Sequence, residues 1–366
     1  MERSSTRIPS LDGLRTISIA LVIVGHFLHV LGVGEFSNLG NLGVRVFFVI
    51  SGFLITGILV KEVEKTSTID LLKFYFRRSM RIFPPYYFYL FVILIGGLAG
   101  SIFIRTESIL LASFYSTNYI NPSNWLVSHT WSLAVEEQFY LILPGLLFLL
   151  GIRRIKIVLI LIIALGPIIR IIDFQLSGSE PIWVSNGFHA NMDALAVGCL
   201  LAIFRRPLHR SVPYRHFFST RIILVLPILI VLINLLHEHP HIFLGFAIPA
   251  MNLMIAFCLD WVVTNHKTAV GRLLNSPPMV MLGGMSYSIY LWQQPFFNHE
   301  SPSVITQMPF NFIGLAVMTL FSYYVVERYS LKLRQRWEMR LFDNSKASNK
   351  VSNLPANIGE PIETAF

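Results

Sequence analysis

The stretch WSLAVEEQFYLILPGLLFLLGIRRIKIVLILIIALGPIIRIIDF, residues 131–174, decides the fold. It holds two apolar runs, 131–150 and 155–174, joined by the basic turn GIRRIK. A bilayer core of ~30 Å takes about 20 residues of helix, so each run can cross once. Lys and Arg collect on the cytoplasmic side of membrane proteins, which makes GIRRIK a cytoplasmic connection.

The pattern repeats outward in both directions. Runs at 14–33, 43–60, 83–104, 190–204, 222–236, 242–264, 278–297 and 310–326 complete ten expected spans, the sixth and seventh of them short. Every second connection is basic: Lys61 to Arg81, Arg153 to Lys156, Arg205 to Arg221, Lys267 with Arg272, and the residues from Arg328 to Lys350. Arg3 and Arg7 precede the first run. This alternation predicts an all-α polytopic membrane helix bundle of about ten transmembrane helices with both termini cytoplasmic.

Composition points the same way. The chain is 54% hydrophobic and 13% charged, against about 25% charged in soluble domains, which excludes a chain made of large soluble domains. The net charge of +9 is accounted for by the basic turns, so membrane lipids and not nucleic acid are the expected partners. Cys199 and Cys258 both lie in apolar stretches, which argues against a disulfide framework or zinc site. The first run carries Arg15 and His26 and lacks a clear small-residue cleavage site, so it is expected to be retained. Residues 1–336 read as the transmembrane domain, and 337–366 as a polar cytoplasmic tail whose composition predicts disorder.

Ionisable groups inside spans are costly and mark function or an internal pair. Here they are Arg15, His26, Glu136, Glu137, Arg170, Asp173, Asp193 and Glu327. Arg15 and His26 are eleven residues apart, about three helical turns, hence on one face and ~16 Å apart along the axis. Glu136 falls at a depth comparable to His26 in a helix running the other way, a spacing that fits an acid/base pair. The plainer alternative is a buried pair that only joins two helices. Arg77, Arg78 and Arg81 end a stretch expected to be a surface helix, starting at Ser67 or Thr68 and stopping at Pro84. Three guanidiniums on one side can grip phosphates, although topology signalling or lipid headgroups would explain them too. Arg170 and Asp173, at i and i+3, are expected to neutralise each other, and Asp193 to pair with an arginine or line the cavity. His237, Glu238, His239 and His241 match no zinc spacing, and no metal is expected.

Six strings, in order, resemble the integral-membrane acyltransferase 3 family: LDGLR to GHF at 11–27, GVRVFFVISGFLIT at 43–56, FRRSMRIFPPYY at 76–87, HTWSLAVEEQFYLILP at 129–144, SYSIYLWQQP at 286–295 and VVER at 325–328. The resemblance covers nearly all of the chain from Leu11 to about Arg334. One departure stands out: many similar members have a histidine just after the Leu-Trp pair, where this chain has Gln293 and Gln294. His26 is therefore expected to act without a second catalytic histidine there.

The resemblance implies an O-acyltransferase of the bacterial cytoplasmic membrane, transferring an acyl group other than an aminoacyl group. Its co-substrate would be acyl-CoA, with acetyl favoured, and its acceptor a saccharide or lipid-linked saccharide. Arg15, Arg77, Arg78 and Arg81 would hold the nucleotide phosphates. His26 would take the acceptor proton, with an ordinary pKa near 6.5 suited to the task, and Glu136 would orient it. Trp131, Tyr140, Tyr290 and Trp292 are the substrate-binding candidates. A transient acyl-histidine is a second route. No esterase-like domain of the kind fused in some members is visible, so transfer is expected to finish in the membrane part. Two other classes remain open at this stage: a transporter or flippase of a glycan or small molecule, for which paired broken-helix repeats would speak, and a non-catalytic membrane sensor.

Overall fold

In the computed structural model of the protein, residues 8–33, 38–119, 124–177, 186–298 and 303–343 are described. Regular structure among them is helical throughout. The long elements are α1 (Leu11–Val30), α2 (Leu39–Thr66), α3 (Leu71–Leu98), α4 (Thr130–Ser177), α5 (Phe188–Arg210), α6 (Leu226–Asn234), α7 (Ile248–Thr264), α8 (Pro277–Phe296), α9 (Phe310–Phe321) and α10 (Arg328–Glu338).

Seven helical stretches are long and apolar enough to cross a membrane, and the bent pair Val212–Ser219 with Ile222–Glu238 makes an eighth. Their outward faces carry large apolar side chains such as Leu149, Leu176 and Phe246, as expected where hydrocarbon is the solvent. The protein is a multi-pass membrane protein. One of the seven, Trp125–Leu176, contains both runs that opened the sequence reading. Gly151 breaks α4 between them with φ 69° and ψ 171°, a conformation that glycine adopts without a Cβ penalty. α8 is 20 residues long, but its Ser, Tyr and Gln residues keep it out of the apolar set.

α2 lies at the centre, packed along both α1 and α5, and α1 packs in turn along α8. The α2–α5 contact is backbone on backbone. A Cβ at Gly52 would sit 2.0 Å from the Leu195 carbonyl oxygen, and one at Gly198 2.2 Å from that of Val49. Small residues let helices approach in a membrane, where van der Waals contact drives association.

Two local expectations fail. α3 starts later than expected, with the Asp70 carboxylate accepting from the Lys73 amide at 2.9 Å, and it runs straight through Pro84 and Pro85. Proline removes one backbone donor but does not end a helix whose neighbours hold it in place. The arginines are therefore on the first turns of a membrane-entering helix and not on a separate surface helix. Arg170 is 0% exposed and pairs across helices with Asp193 at 2.8 Å, while Asp173 meets His189 at 2.7 Å. The i, i+3 partnership is replaced because α5 brings a carboxylate to Arg170 and an imidazole to Asp173. The helix of Phe310 continues to Asp343, and residues 344–366 lie outside the described residues.

Replacing Gly198 by Val is expected to reduce the yield of monodisperse membrane protein several-fold, because the new side chain meets immovable main chain of α2. Fluorescence-detected size-exclusion of detergent extracts checks it.

Candidate functional site

Two chambers lie in the bundle. The lower, about 340 Å³, is lined by Arg15 of α1, Ser51 of α2, Arg78 and Arg81 of α3, Glu136, Glu137 and Tyr140 of α4, and Glu327. The upper, about 240 Å³, is lined by His26 of α1, Gly40 and Asn41 of α2, Trp125, His129 and Trp131, and Gln294 of α8. Val44 and Tyr290 line both and so stand between the two chambers. The Tyr290 hydroxyl is anchored at this junction, donating to the His129 carbonyl oxygen at 2.9 Å and sharing a 2.6 Å hydrogen bond with Ser132 Oγ.

The lower chamber mixes charges. Arg15 reaches Asp12 at 3.3 Å, and the Arg78 guanidinium lies 4.0 Å over the Tyr140 ring. Arg78 Nε is buried without a hydrogen-bond partner, and neither Arg78 nor Arg81 forms a close ion pair among the described residues. Glu136 accepts from Ser51 Oγ at 2.6 Å, and Glu327 from Ser288 Oγ at 3.0 Å. The lining holds four carboxylates, Asp12 included, against three guanidiniums. An anion would therefore be gripped by directed guanidinium donors and not drawn by net charge.

The upper chamber is organised around His26. Its Nδ1 lies 2.8 Å from Gln293 Oε1; an amide oxygen only accepts, so Nδ1 carries the proton and Nε2 the lone pair. Nε2 faces α2, where a Cβ at Gly40 would be 3.8 Å away. The ring meets Trp125 edge-on at 5.5 Å, and Trp125 Nε1 donates to the Gln294 carbonyl at 3.0 Å. The partner that orients His26 is thus Gln293 of α8, and Glu136 instead faces the lower chamber. The expected match in depth is not met: His26 lies beside Gly40 and Glu136 beside Ser51, eleven residues further along α2, about 16 Å at 1.5 Å per residue.

The other sequence candidates separate in the same way. Trp131 lines the upper chamber, Tyr140 the lower and Tyr290 both. Trp292 lines neither; it packs on Tyr89 at 5.2 Å and Phe88 at 5.9 Å. Arg77 also lies outside the lining, hydrogen-bonded to Glu338 of α10, with Lys73 3.6 Å from the same carboxylate. Sequence reasoning missed Trp125 and His129 in the upper chamber; Glu327, which it named among the ionisable groups inside spans, lines the lower. His129 stood in the most specific string, and Glu327 is carried by a π-helical turn, Ser322–Glu327, a distortion frequent at functional sites. Among the described residues no group of three His, Cys, Asp or Glu side chains is placed to hold a metal.

The family model Acyl_transf_3, described as an acyltransferase domain, matches residues 8–327. The chain belongs to the acyltransferase 3 family. It is 27% identical over 361 residues to the peptidoglycan O-acetyltransferase OatA of Listeria monocytogenes, a match covering 89% of this chain and 54% of that protein. It is 28% identical over 317 residues to the O-acetyltransferase OatA of Staphylococcus aureus, covering 79% and 50%. The chain thus spans about half the length of the curated relatives it matches. No solved structure matches it. Both chambers of this acyltransferase 3 domain are built from residues inside the matched region, and every family string quoted above reaches one or the other.

Gln293→Leu removes the acceptor on Nδ1 and frees the ring to turn. Misplacing a group at a reacting centre by ~1 Å can cost about 10²-fold, so turnover by this acyltransferase domain is expected to fall 10- to 100-fold. Steady-state kinetics in proteoliposomes provide the comparison.

Proposed function

We propose that this chain is a membrane-embedded O-acyltransferase that moves an acyl group, acetyl in the simplest case, from cytoplasmic acyl-CoA to a hydroxyl of a cell-envelope saccharide. The observation that carries this reading is the adjacency of the two chambers across Val44 and Tyr290, with guanidinium donors on one side and an oriented imidazole on the other. The relatives named for O-acetyl transfer, one of them to peptidoglycan, supply the acceptor class.

The lower chamber faces the basic ends of the helices, which the charge alternation places in the cytoplasm. With the break at Gly151 and the 20-residue α8, the helices accommodate ten crossings of the bacterial cytoplasmic membrane. Arg15, Arg78 and Arg81 hold the phosphates of the donor, and its thiol arm passes Val44 and Tyr290. The acceptor hydroxyl enters the upper chamber. A sugar hydroxyl is a weak nucleophile until a base takes its proton; His26 Nε2 does so while Nδ1–H stays on Gln293. The C–O bond forms, the C–S bond breaks, and the thiolate recovers the proton from the His26 imidazolium. The ester leaves on the outer side and free CoA on the inner. Trp131 and Trp125 offer ring faces to the sugar.

Inverted vesicles given labelled acetyl-CoA are expected to label an outer-face saccharide; unmodified saccharide crossing without label would make the protein a transporter. His26→Ala is expected to lower transfer by at least 10²-fold, the smaller end of general-base contributions, with normal amounts of protein in the membrane. Retained activity rejects His26 as the base. Arg78→Ala and Arg81→Ala are each expected to raise the acyl-CoA KM about 10-fold or more, since hydrogen bonds to charged groups contribute roughly 1.5–3 kcal/mol. Arg77→Ala, already engaged with Glu338, changes it less than about twofold, as for exposed pairs of small net worth.

A further inference from the structure

The upper chamber holds a second imidazole. His129 lies between the short helix Trp125–Ser128 and α4, is 3% exposed, and lines the same chamber as His26. Neither of its ring nitrogens has a hydrogen-bond partner in the protein. The Leu291 main chain lies beside the ring without meeting hydrogen-bond geometry. A buried polar atom left unpaired costs about 1–3 kcal/mol, so such a ring needs a reason to be retained.

The ring is nonetheless held in place. Tyr89 meets it edge-on at 5.6 Å and Tyr290 lies tilted against it at 5.4 Å. Tyr89 is fixed in turn by donating its hydroxyl to the Leu126 carbonyl at 2.5 Å. The His129 carbonyl accepts from the Tyr290 hydroxyl, the group that stands at the junction of the chambers. Rings and main chain thus orient His129 without a full hydrogen bond to either nitrogen.

The two histidines are equipped differently. His26 has a polar partner on Nδ1 that can support the charge it takes up. His129 has aromatic walls and no such partner, so gaining a proton there would leave a buried charge unsupported. Donating a hydrogen bond changes no charge on the ring, and a neutral imidazole has one N–H to donate. In acyl transfer the demand for a donor is specific: negative charge grows on the carbonyl oxygen as the hydroxyl attacks, and a preset donor aimed at it is worth roughly 10²–10³ in kcat.

We propose that His129 is a catalytic hydrogen-bond donor to the acyl carbonyl oxygen, working opposite His26 as the base; the proposal rests on the acyl-transfer reading above. The acceptor proton goes to His26 Nε2 as the C–O bond forms. The carbonyl oxygen carries the resulting charge against the His129 N–H. On collapse the C–S bond breaks, the thiolate takes the proton from His26, and His129 ends in the state in which it began.

The test compares His129→Ala, His129→Asn and His129→Gln with the wild type in proteoliposomes given labelled acetyl-CoA and the saccharide acceptor. Asn offers an amide N–H near the position of Nδ1 and Gln near that of Nε2. The expected result is a 10²- to 10³-fold loss of kcat in the Ala variant with the acetyl-CoA KM within about threefold. One of the two amide variants recovers at least tenfold over Ala and keeps the shape of the wild-type pH–rate profile, since the base is unchanged. An Ala variant within threefold of wild type overturns the proposal and leaves the acyl-transfer reading standing, as does failure of both amide variants to regain rate, or a recovering variant whose pH–rate profile changes shape. Where Ala does not accumulate in the membrane, the amide variants decide alone: both falling as far as His26→Ala overturns it. A wild type that transfers no label overturns both.

Discussion

The hydrogen bond from His26 Nδ1–H to Gln293 Oε1 is the interaction on which the proposed chemistry depends. It ties the opening helix to α8 across the bundle, and it selects which nitrogen of the imidazole is left with a lone pair. An amide orients the ring as a carboxylate would but adds no counter-charge of its own. The position at which many similar chains carry a histidine is therefore not vacant here; it holds the orienting group.

Around that bond the protein separates what must be kept apart. Guanidiniums and carboxylates gather in the lower chamber, and imidazoles with indoles gather in the upper. Tyr290 stands where they meet, held by Ser132 and by the main chain of His129. Polar side chains inside a membrane are tolerated when each finds a partner or faces a cavity, and both conditions are met by the same short set of residues from α1, α2, α4 and α8. The glycine contacts of α2 with α5 keep the wall behind the chambers thin and fixed.

The helical membrane fold was legible in the sequence because hydrocarbon allows so few alternatives: a 20-residue apolar run bounded by basic turns has little else to become. The site was legible in part. Arg15, Arg78, Arg81, Glu136 and Tyr140 share one chamber, and His26, Trp131 and Tyr290 share the other, all from strings that the sequence singles out. Depth counted along a helix is only as good as its assumed start, and the stretch that carries Glu136 begins at Trp125, earlier than the sequence reading placed it; the direction in which a side chain points around its axis depends on packing that one sequence does not display. For that reason Glu136 was matched to His26 by depth and belongs to the other room, and Arg170 was matched to Asp173 by spacing and reaches Asp193 instead. His129 and Trp125 escaped notice because they precede α4 on short turns, where no periodicity announces a facing. Pro84 misled because a proline is punctuation in water and much less so within a bundle.

The unbroken course of α3 has a mechanical meaning. Arg81 and Tyr89 are eight residues apart on one continuous helix, about 12 Å at 1.5 Å per residue. The first lines the lower chamber, and the second is the wall against which the His129 ring rests. Seating a ligand at the inner arginines and bracing the ring beside the outer room are in this protein two ends of a single strut.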